Sequence, residues 1–176
     1  CLFGFITSAQ QVFDEALGAG RWFAPAFAVV AASMGVSAYL NSRIVERLGT
    51  RRVSHTALLG FIGFAATHAA LAAAGFENLP VFMVMQSGMM FCFGLIGSNF
   101  GSMAMEPLGR IAGVGSSVQG FITTLGGAMI GGVIGQSFDG TAAPLTLGFT
   151  CCGLGALAIV LVTERGRLFE ARVQSA

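Results

Sequence analysis

The sequence contains no lysine, and charged side chains of every kind are scarce. Asp, Glu, Lys and Arg make up 10% of the 176 residues, and all nine basic residues are arginine. Soluble domains carry about 25% charged residues. The missing lysine excludes a P-loop nucleotide site and Schiff-base chemistry, because both need a lysine side chain. A net charge of +1, with no basic patch interleaved with aromatic residues, does not indicate nucleic-acid binding.

Charge is missing altogether from five long stretches: 22–42, 53–76, 78–105, 111–138 and 140–163. Crossing about 30 Å of hydrocarbon takes about 20 helical residues, so each stretch is long enough to span a bilayer. Barrel strands would show about 10 residues of alternating polarity, whereas these stretches are continuously apolar. The sequence therefore predicts an all-α, polytopic membrane protein surrounded by lipid. We expect spans at about 22–42, 54–75, 79–104, 112–136 and 142–163.

Residues 1–13 form a sixth apolar stretch, which we interpret as the outer part of another spanning helix. It lacks the basic leader and the cleavage site of a signal peptide. The prediction is therefore one six-helix unit over residues 1–176, with a helix stub at 1–13 and a tail at 164–176. The connections fall at 14–21, 43–53, 76–79, 105–111 and 137–142.

The arginines assign the two sides of this bundle, because alternate connections lie on the same side of the membrane. Only Arg21 falls on one side. The other eight fall on the opposite side: Arg43, Arg47, Arg51, Arg52, Arg110, Arg165, Arg167 and Arg172. The positive-inside rule places the eight-arginine side, and with it the C-terminus, in the cytoplasm.

The cysteines show no metal-type spacing. Cys1, Cys92, Cys151 and Cys152 all fall in apolar segments, which favours buried free thiols. We expect no metal and no cofactor.

One connection has an ordered pattern, Asn41-Ser-Arg-Ile-Val-Glu46-Arg47-Leu-Gly49-Thr-Arg51-Arg. It resembles the major facilitator superfamily loop signature G-x-x-x-D-R-x-G-R-R, with Glu46 as the acid, Arg47 and Arg51 as bases, and Gly49 at the turn. Ser and Thr replace one glycine and one arginine of that signature. Glu46 would pair with arginines of a neighbouring element and latch one conformation, so we interpret these four residues as a cytoplasmic gating loop. The alternative is that the arginines only set topology.

A second group of residues resembles the bicyclomycin- and chloramphenicol-resistance-like drug efflux branch of that superfamily. These residues are Gly97-Ser-Asn99-Phe, Glu106-Pro, Ala112-Gly and Ser116-Ser, together with Asn41-Ser-Arg43. The resemblance covers essentially the whole chain, as helices seven to twelve of a twelve-helix transporter of the bacterial inner membrane. It implies a missing N-terminal six-helix half, a small apolar or mixed-character drug substrate, and coupling to protons. It places the coupling acid in the missing half.

The resemblance also implies that the first, second, fourth and fifth helices face a midplane cavity, with the third and sixth peripheral. On the first, Thr7, Gln10, Gln11 and Asp14 form one helical stripe. Gln10 and Gln11 are candidate substrate contacts; the alternative is helix–helix hydrogen bonding. Asp14 is best explained as a solvated acid at the interface.

The fourth helix has an amide on a stripe of soft side chains: Gln86, Met89, Met90, Phe93 and Gly97. Met-rich walls suit varied apolar ligands, so Gln86, Met90 and Phe93 are candidate substrate contacts, with Met34 of the second helix. Ordinary core or lipid packing explains the same stripe equally well.

The fifth helix carries glycines four residues apart, at Gly127, Gly131 and Gly135, and this spacing favours close packing of another helix. The segment resembles a degenerate antiporter signature G-x-x-x-G-P-x-x-G, with Gly132 in the proline position. Gln119 lies earlier on this helix and is a further candidate substrate contact.

Of the two histidines, His55 lies at the cytoplasmic edge and His68 deeper on the third helix. A proton relay is one possibility, and with no acid nearby on that helix a structural hydrogen bond is favoured.

Three other functions remain as alternatives. An uptake permease for a small metabolite would have the same fold. A membrane-embedded enzyme is disfavoured, because the sequence has no H-E-x-x-H and no G-x-S-x-G motif. The last alternative is a six-helix structural protein that pairs with itself.

Overall fold

The protein is all-helical. A computed structural model describes residues 1–166 and 168–169, with 88% helix and no strand in that part of the chain. Continuous apolar runs without internal proline breaks leave the backbone no alternative that satisfies its own hydrogen bonds. The predicted fold class is confirmed to this extent.

Five helices are long and one is short. The short helix α1 (Leu2–Gln11) continues without a break as a π-helical segment (Val12–Ala16), and a 3-10 turn (Gly20–Trp22) follows. The long helices are α2 (Phe23–Leu48), α3 (Thr50–Ala73), α4 (Leu79–Met105), α5 (Ala112–Gln136) and α6 (Ala143–Thr163). A 3-10 segment (Glu106–Ile111) joins α4 to α5, with a kink at Gly109.

Four continuous helical segments are long and apolar enough to cross a membrane: Gly20–Leu48, Thr50–Ala73, Leu79–Gln136 and Ala143–Thr163. The third of these contains both α4 and α5. By length and composition the helices are compatible with a multi-pass membrane protein.

The predicted connection at 43–53 is almost entirely helical, which corrects the expected loop. Helix α2 continues through the first arginines to Leu48, and α3 begins at Thr50. Only Gly49 separates them, with φ at +80°. A positive φ is accessible to glycine without strain, so this one residue turns the chain and the arginines project from helix ends.

The helices pack as two sets. Helix α3 lies against α4 and α6, and α2 packs on the other side of α4; α1 packs mainly on α5. Helix α3 buries eight residues, including both histidines, whereas α5 buries only Gly131 and Ile134. The core therefore centres on α3 and α4, and α5 lies mostly on the surface.

The four cysteines are free. Cys92 is buried as predicted, but Cys151 is exposed and Cys1 and Cys152 are half-buried. The expectation of four buried thiols was wrong, because apolar character along the chain does not determine which helix face is covered. In the described residues no three His, Cys, Asp or Glu side chains are grouped so as to hold a metal ion.

Candidate functional site

Helices α1 and α5 are in close contact along a face of small residues. A Cβ atom added to Gly131 would lie 2.8 Å from the backbone nitrogen of Gly4, and one added to Gly127 would lie 2.8 Å from the ring of Phe3. Gly135 faces Thr7 in the same way, at 3.1 Å. These glycines, spaced four residues apart, thus let the backbones of the two helices approach closely.

The polar stripe of the first helix lies outside the packed core. Gln10, Gln11 and Asp14 are exposed. Thr7, also exposed, lies at the contact with α5, where its hydroxyl is 3.1 Å from the carbonyl oxygen of Gly131. On α5, Gln119 is half-buried. No hydrogen bond joins the side chains of Gln10, Gln11 or Gln119 to another described residue.

The candidate residues of the fourth helix lie in the core instead. Gln86 is fully buried and Met90 is 1% exposed, while Met34 and Phe93 are half-buried and pack against the same cluster. Neither amide atom of Gln86 has a hydrogen-bond partner in the described part of the chain. The structure therefore places the candidate substrate residues in two groups, one exposed and one buried, rather than around one pocket.

The arginine segment forms an ion pair, but with an unexpected partner. Arg51, at the start of α3, pairs with Glu164, the residue that follows α6. Glu46 and Arg47 are exposed, and neither forms an ion pair with any residue that the structure describes. Arg167 and Arg172, which contribute to the topology prediction, lie outside the described residues.

Beside this ion pair is a cavity of about 430 Å³. Apolar side chains of α4 and α6 form most of its wall, and Arg51 and Glu164 border it. None of the candidate substrate residues lines it. The wall is thus mostly apolar, with one ion pair at its edge.

Two asparagines join α2 to α4. The side-chain amide of Asn99 donates to the Oδ1 of Asn41 at 2.7 Å and to the carbonyl oxygen of Leu95 at 2.8 Å. Asn41 ends the apolar stretch before the arginine segment, and Asn99 lies in the C-terminal half of α4. Their hydrogen bond gives those residues a packing role between two helices.

His68 has an acidic partner that sequence reasoning missed. Its Nε2 lies 3.0 Å from the Oε1 of Glu77, in the connection between α3 and α4. No acid lies on α3 itself, and Glu77 follows the end of that helix. His55, the other histidine, accepts a hydrogen bond from the backbone nitrogen of Phe169 at its Nδ1. The sequence did contain a signal for the contact between His68 and Glu77: the acid follows the histidine by nine residues, just beyond the end of the helix.

Comparison of the chain with protein families, with curated proteins and with solved structures found no match in any of the three.

Proposed function

We propose that the chain is the C-terminal six-helix half of a major facilitator superfamily transporter, a proton-coupled multidrug exporter of the bacterial inner membrane. The proposal includes six membrane crossings, with α1 and the π-helical segment forming the outer part of the first. The eight-arginine side and the C-terminus lie in the cytoplasm in this proposal, following the positive-inside rule. The motif residues around Glu46 and Asn99 support the superfamily and the branch.

The observation that carries the proposal is the exposed polar stripe on α1, next to its close contact with α5. Amide side chains in hydrocarbon are costly unless they face a cavity or a partner. Gln10 and Gln11 lie on an apolar helix, yet within the described bundle they face no cavity and have no hydrogen-bond partner. A water-filled cavity shared with a second six-helix half supplies both requirements.

The substrate that fits this face is apolar or mixed in character. No Asp, Glu, Lys or Arg lies within residues 22–42, 78–105 or 111–138, so this half offers no mid-membrane counter-charge for a charged nutrient. Met34, Met90 and Phe93 supply soft walls, which adapt to ligands of different shape. This composition favours drug export over uptake of a charged metabolite.

Alternating access accounts for the two groups of candidate residues. The amide of Gln86 is buried without a partner, and an unpartnered buried amide is destabilising. A conformation that opens α4 towards the cavity would give this amide water or a ligand as its partner. We propose that Gln86 and Met90 meet the substrate in that conformation, and that Gln10, Gln11 and Gln119 meet it in the one described.

The experiment is an accumulation assay with the complete gene. Cells that lack their own drug exporters are loaded with ethidium, with and without expression of the gene, and retained fluorescence is followed over time. We expect lower accumulation on expression, reversed by a protonophore. Higher accumulation on expression would favour the uptake permease. No change for any of a panel of lipophilic drugs, neutral and cationic, would contradict the proposal.

A further inference from the structure

His68 and Glu77 form a buried titratable pair at the connected ends of α3 and α4. The imidazole is fully buried, and the side chain of Glu77 is 14% exposed. One hydrogen bond joins them, between Nε2 and Oε1. The other polar atom of each side chain, Nδ1 of His68 and Oε2 of Glu77, is buried with no partner among the described residues. The pair thus has one hydrogen bond, and one buried polar atom on each side chain has no hydrogen-bond partner among the described residues.

We propose that His68 and Glu77 are a proton-binding site. With the imidazole neutral, Nε2–H donates to the carboxylate, and the lone pair on Nδ1 is free to accept a proton. Uptake of one proton at Nδ1 gives an imidazolium beside a carboxylate and changes the net charge of the pair from −1 to 0. The new Nδ1–H has no acceptor in the described conformation. Proton binding therefore favours a different arrangement of these helix ends, as ligands favour the state that binds them better.

No other charged group competes for this pair. Of the helices that pack against α3, α4 and α6 contain no Asp, Glu, Lys or Arg, and their titratable side chains are the thiols of Cys92, Cys151 and Cys152. Helix α2 carries Arg43, Glu46 and Arg47 near its C-terminal end, where the chain turns into the start of α3. The charged residues of the other two connections at the end of the bundle that holds Glu77 are Asp14, Glu15, Arg21 and Asp139. None of these four forms a hydrogen bond or ion pair with His68 or Glu77 in the part of the chain that the structure describes. Within the described residues, the bond between His68 and Glu77 is thus the only charged contact of either side chain.

A chain of ring contacts leads from the pair to the first two helices. The ring of His68 meets the ring of Phe82 edge-on at 5.4 Å, and Phe82 meets Phe13 at 5.2 Å. Phe13 lies in the π-helical segment after α1 and contacts Phe23 of α2 at 5.8 Å. π-Helical turns occur frequently at functional sites. A shift of His68 would thus displace packed rings next to the polar stripe that we assign to substrate.

The experiment combines histidine NMR with tryptophan fluorescence. The gene product is labelled with ¹⁵N-histidine in phospholipid nanodiscs and titrated from about pH 5 to pH 8, the range in which histidine ordinarily changes charge. The signal of His68 is the one lost in His68→Gln. We expect a proton to be added at Nδ1 over this range in the parent, and Glu77→Gln, which removes the carboxylate next to Nε2, to alter that pH dependence. Emission from Trp22, next to Phe23 and identified by Trp22→Phe, should change over the same pH range.

His55→Gln is the matched control, because it removes the other histidine of α3 and should leave both titrations unchanged. A His68 signal that stays in one state, or Trp22 emission with the same pH profile in His68→Gln and Glu77→Gln as in the parent, would overturn the inference. Glu77 lies in the connection between α3 and α4, outside both helices. Glu77→Gln therefore still tests the site if His68→Gln does not fold. The proton site itself is independent of the proposed function, but its role in driving drug export rests on that proposal. Titration of His68 in a protein that exports no drug would support the site and contradict the exporter.

Discussion

Arg51 and Glu164 form an ion pair that joins the first turn of α3 to the residue following α6. Their side chains are 20% and 14% exposed, so water screens the pair only in part. The two helices already pack along their length, and the ion pair fixes their ends at the arginine-rich side. The order of residues in that segment is thus explained in part by a contact within the described bundle.

This ion pair should stabilise the bundle. Arg51→Gln and Glu164→Gln should each lower the free energy of unfolding, and a double-mutant cycle should give a coupling of about 1 kcal/mol or more, within the range for contacting residues. The measurement is denaturant unfolding in mixed micelles. Arg52→Gln is the matched control, since Arg52 is exposed and has no ion pair with any described residue. Additive effects of the two substitutions would show that the pair contributes nothing.

The contact of α1 with α5 should tolerate no side chain at Gly131. A Cβ there meets backbone atoms at 2.8 Å, so Gly131→Ala should cost about 1–3 kcal/mol through overpacking. Gly132→Ala is the control, because its added Cβ meets nothing within 4 Å and alanine favours helix. Thermal unfolding followed by circular dichroism should show a lower Tm for the first variant and an equal or higher Tm for the second. Equal loss in both would contradict the described register of the two helices.

Glu46 should matter for transport and not for insertion. It is exposed and forms no ion pair in the described bundle, so under our proposal its partner belongs to the proposed N-terminal half. In the complete gene product, Glu46→Gln should reduce drug export by about fivefold or more, the lower end of coupling between conformational states. Glu46→Asp keeps the carboxylate and should retain most of the activity. Unchanged export at equal membrane levels would mean that this acid serves topology alone.

Asp139, between α5 and α6, should give an acid-dependent contribution to stability. Its carboxylate accepts hydrogen bonds from the hydroxyl of Thr141 at 2.6 Å and from the Thr141 backbone nitrogen at 3.0 Å. These bonds, chiefly the one from the hydroxyl, hold the pKa of Asp139 below its usual range. A lowered pKa means that the contribution is complete above the ordinary aspartate pKa of about 4 and is lost as pH falls through the folded-state value.

The measurement compares Tm for the parent and for Asp139→Asn at pH 7, 5 and 3. The parent should be the more stable of the two at pH 7 and 5, by a small margin because the residue is exposed, and the difference should shrink at pH 3. Thr141→Val, which removes the hydroxyl donor, should reproduce most of the loss. A difference that stays constant across this range would show that the hydrogen bonds do not depend on ionisation.

The all-helical class and the presence of helices long and apolar enough to cross a membrane could be predicted from the sequence, because both follow from continuous apolar runs. Glycine spacing on α5 likewise indicated a packing face, since residues four apart share one side of a helix. The turn at Gly49 was expected, but the helical continuation on both sides of it was not. Charge density marks a water-exposed segment and does not determine whether that segment is helical.

Partners across helices could not be predicted. Glu164 is 113 positions from Arg51 along the chain, and only the packing of α6 on α3 brings them together. Gln86 and Gln10 both look like polar groups in apolar helices, yet one is buried and the other exposed. Their difference depends on which helix covers each face, and periodicity within one helix does not contain that information.

The central claim, proton-coupled drug export, is tested most directly in inside-out membrane vesicles that contain the complete gene product. Respiration acidifies the vesicle interior, and an acridine dye reports the pH gradient. Adding ethidium or another lipophilic cation should release protons from the interior and restore dye fluorescence. This recovery should occur only in vesicles that contain the protein, and it should saturate with drug concentration. A gradient that stays unchanged while the same vesicles accumulate the drug would contradict proton coupling. A gradient that stays unchanged with no accumulation of any tested drug would contradict export itself.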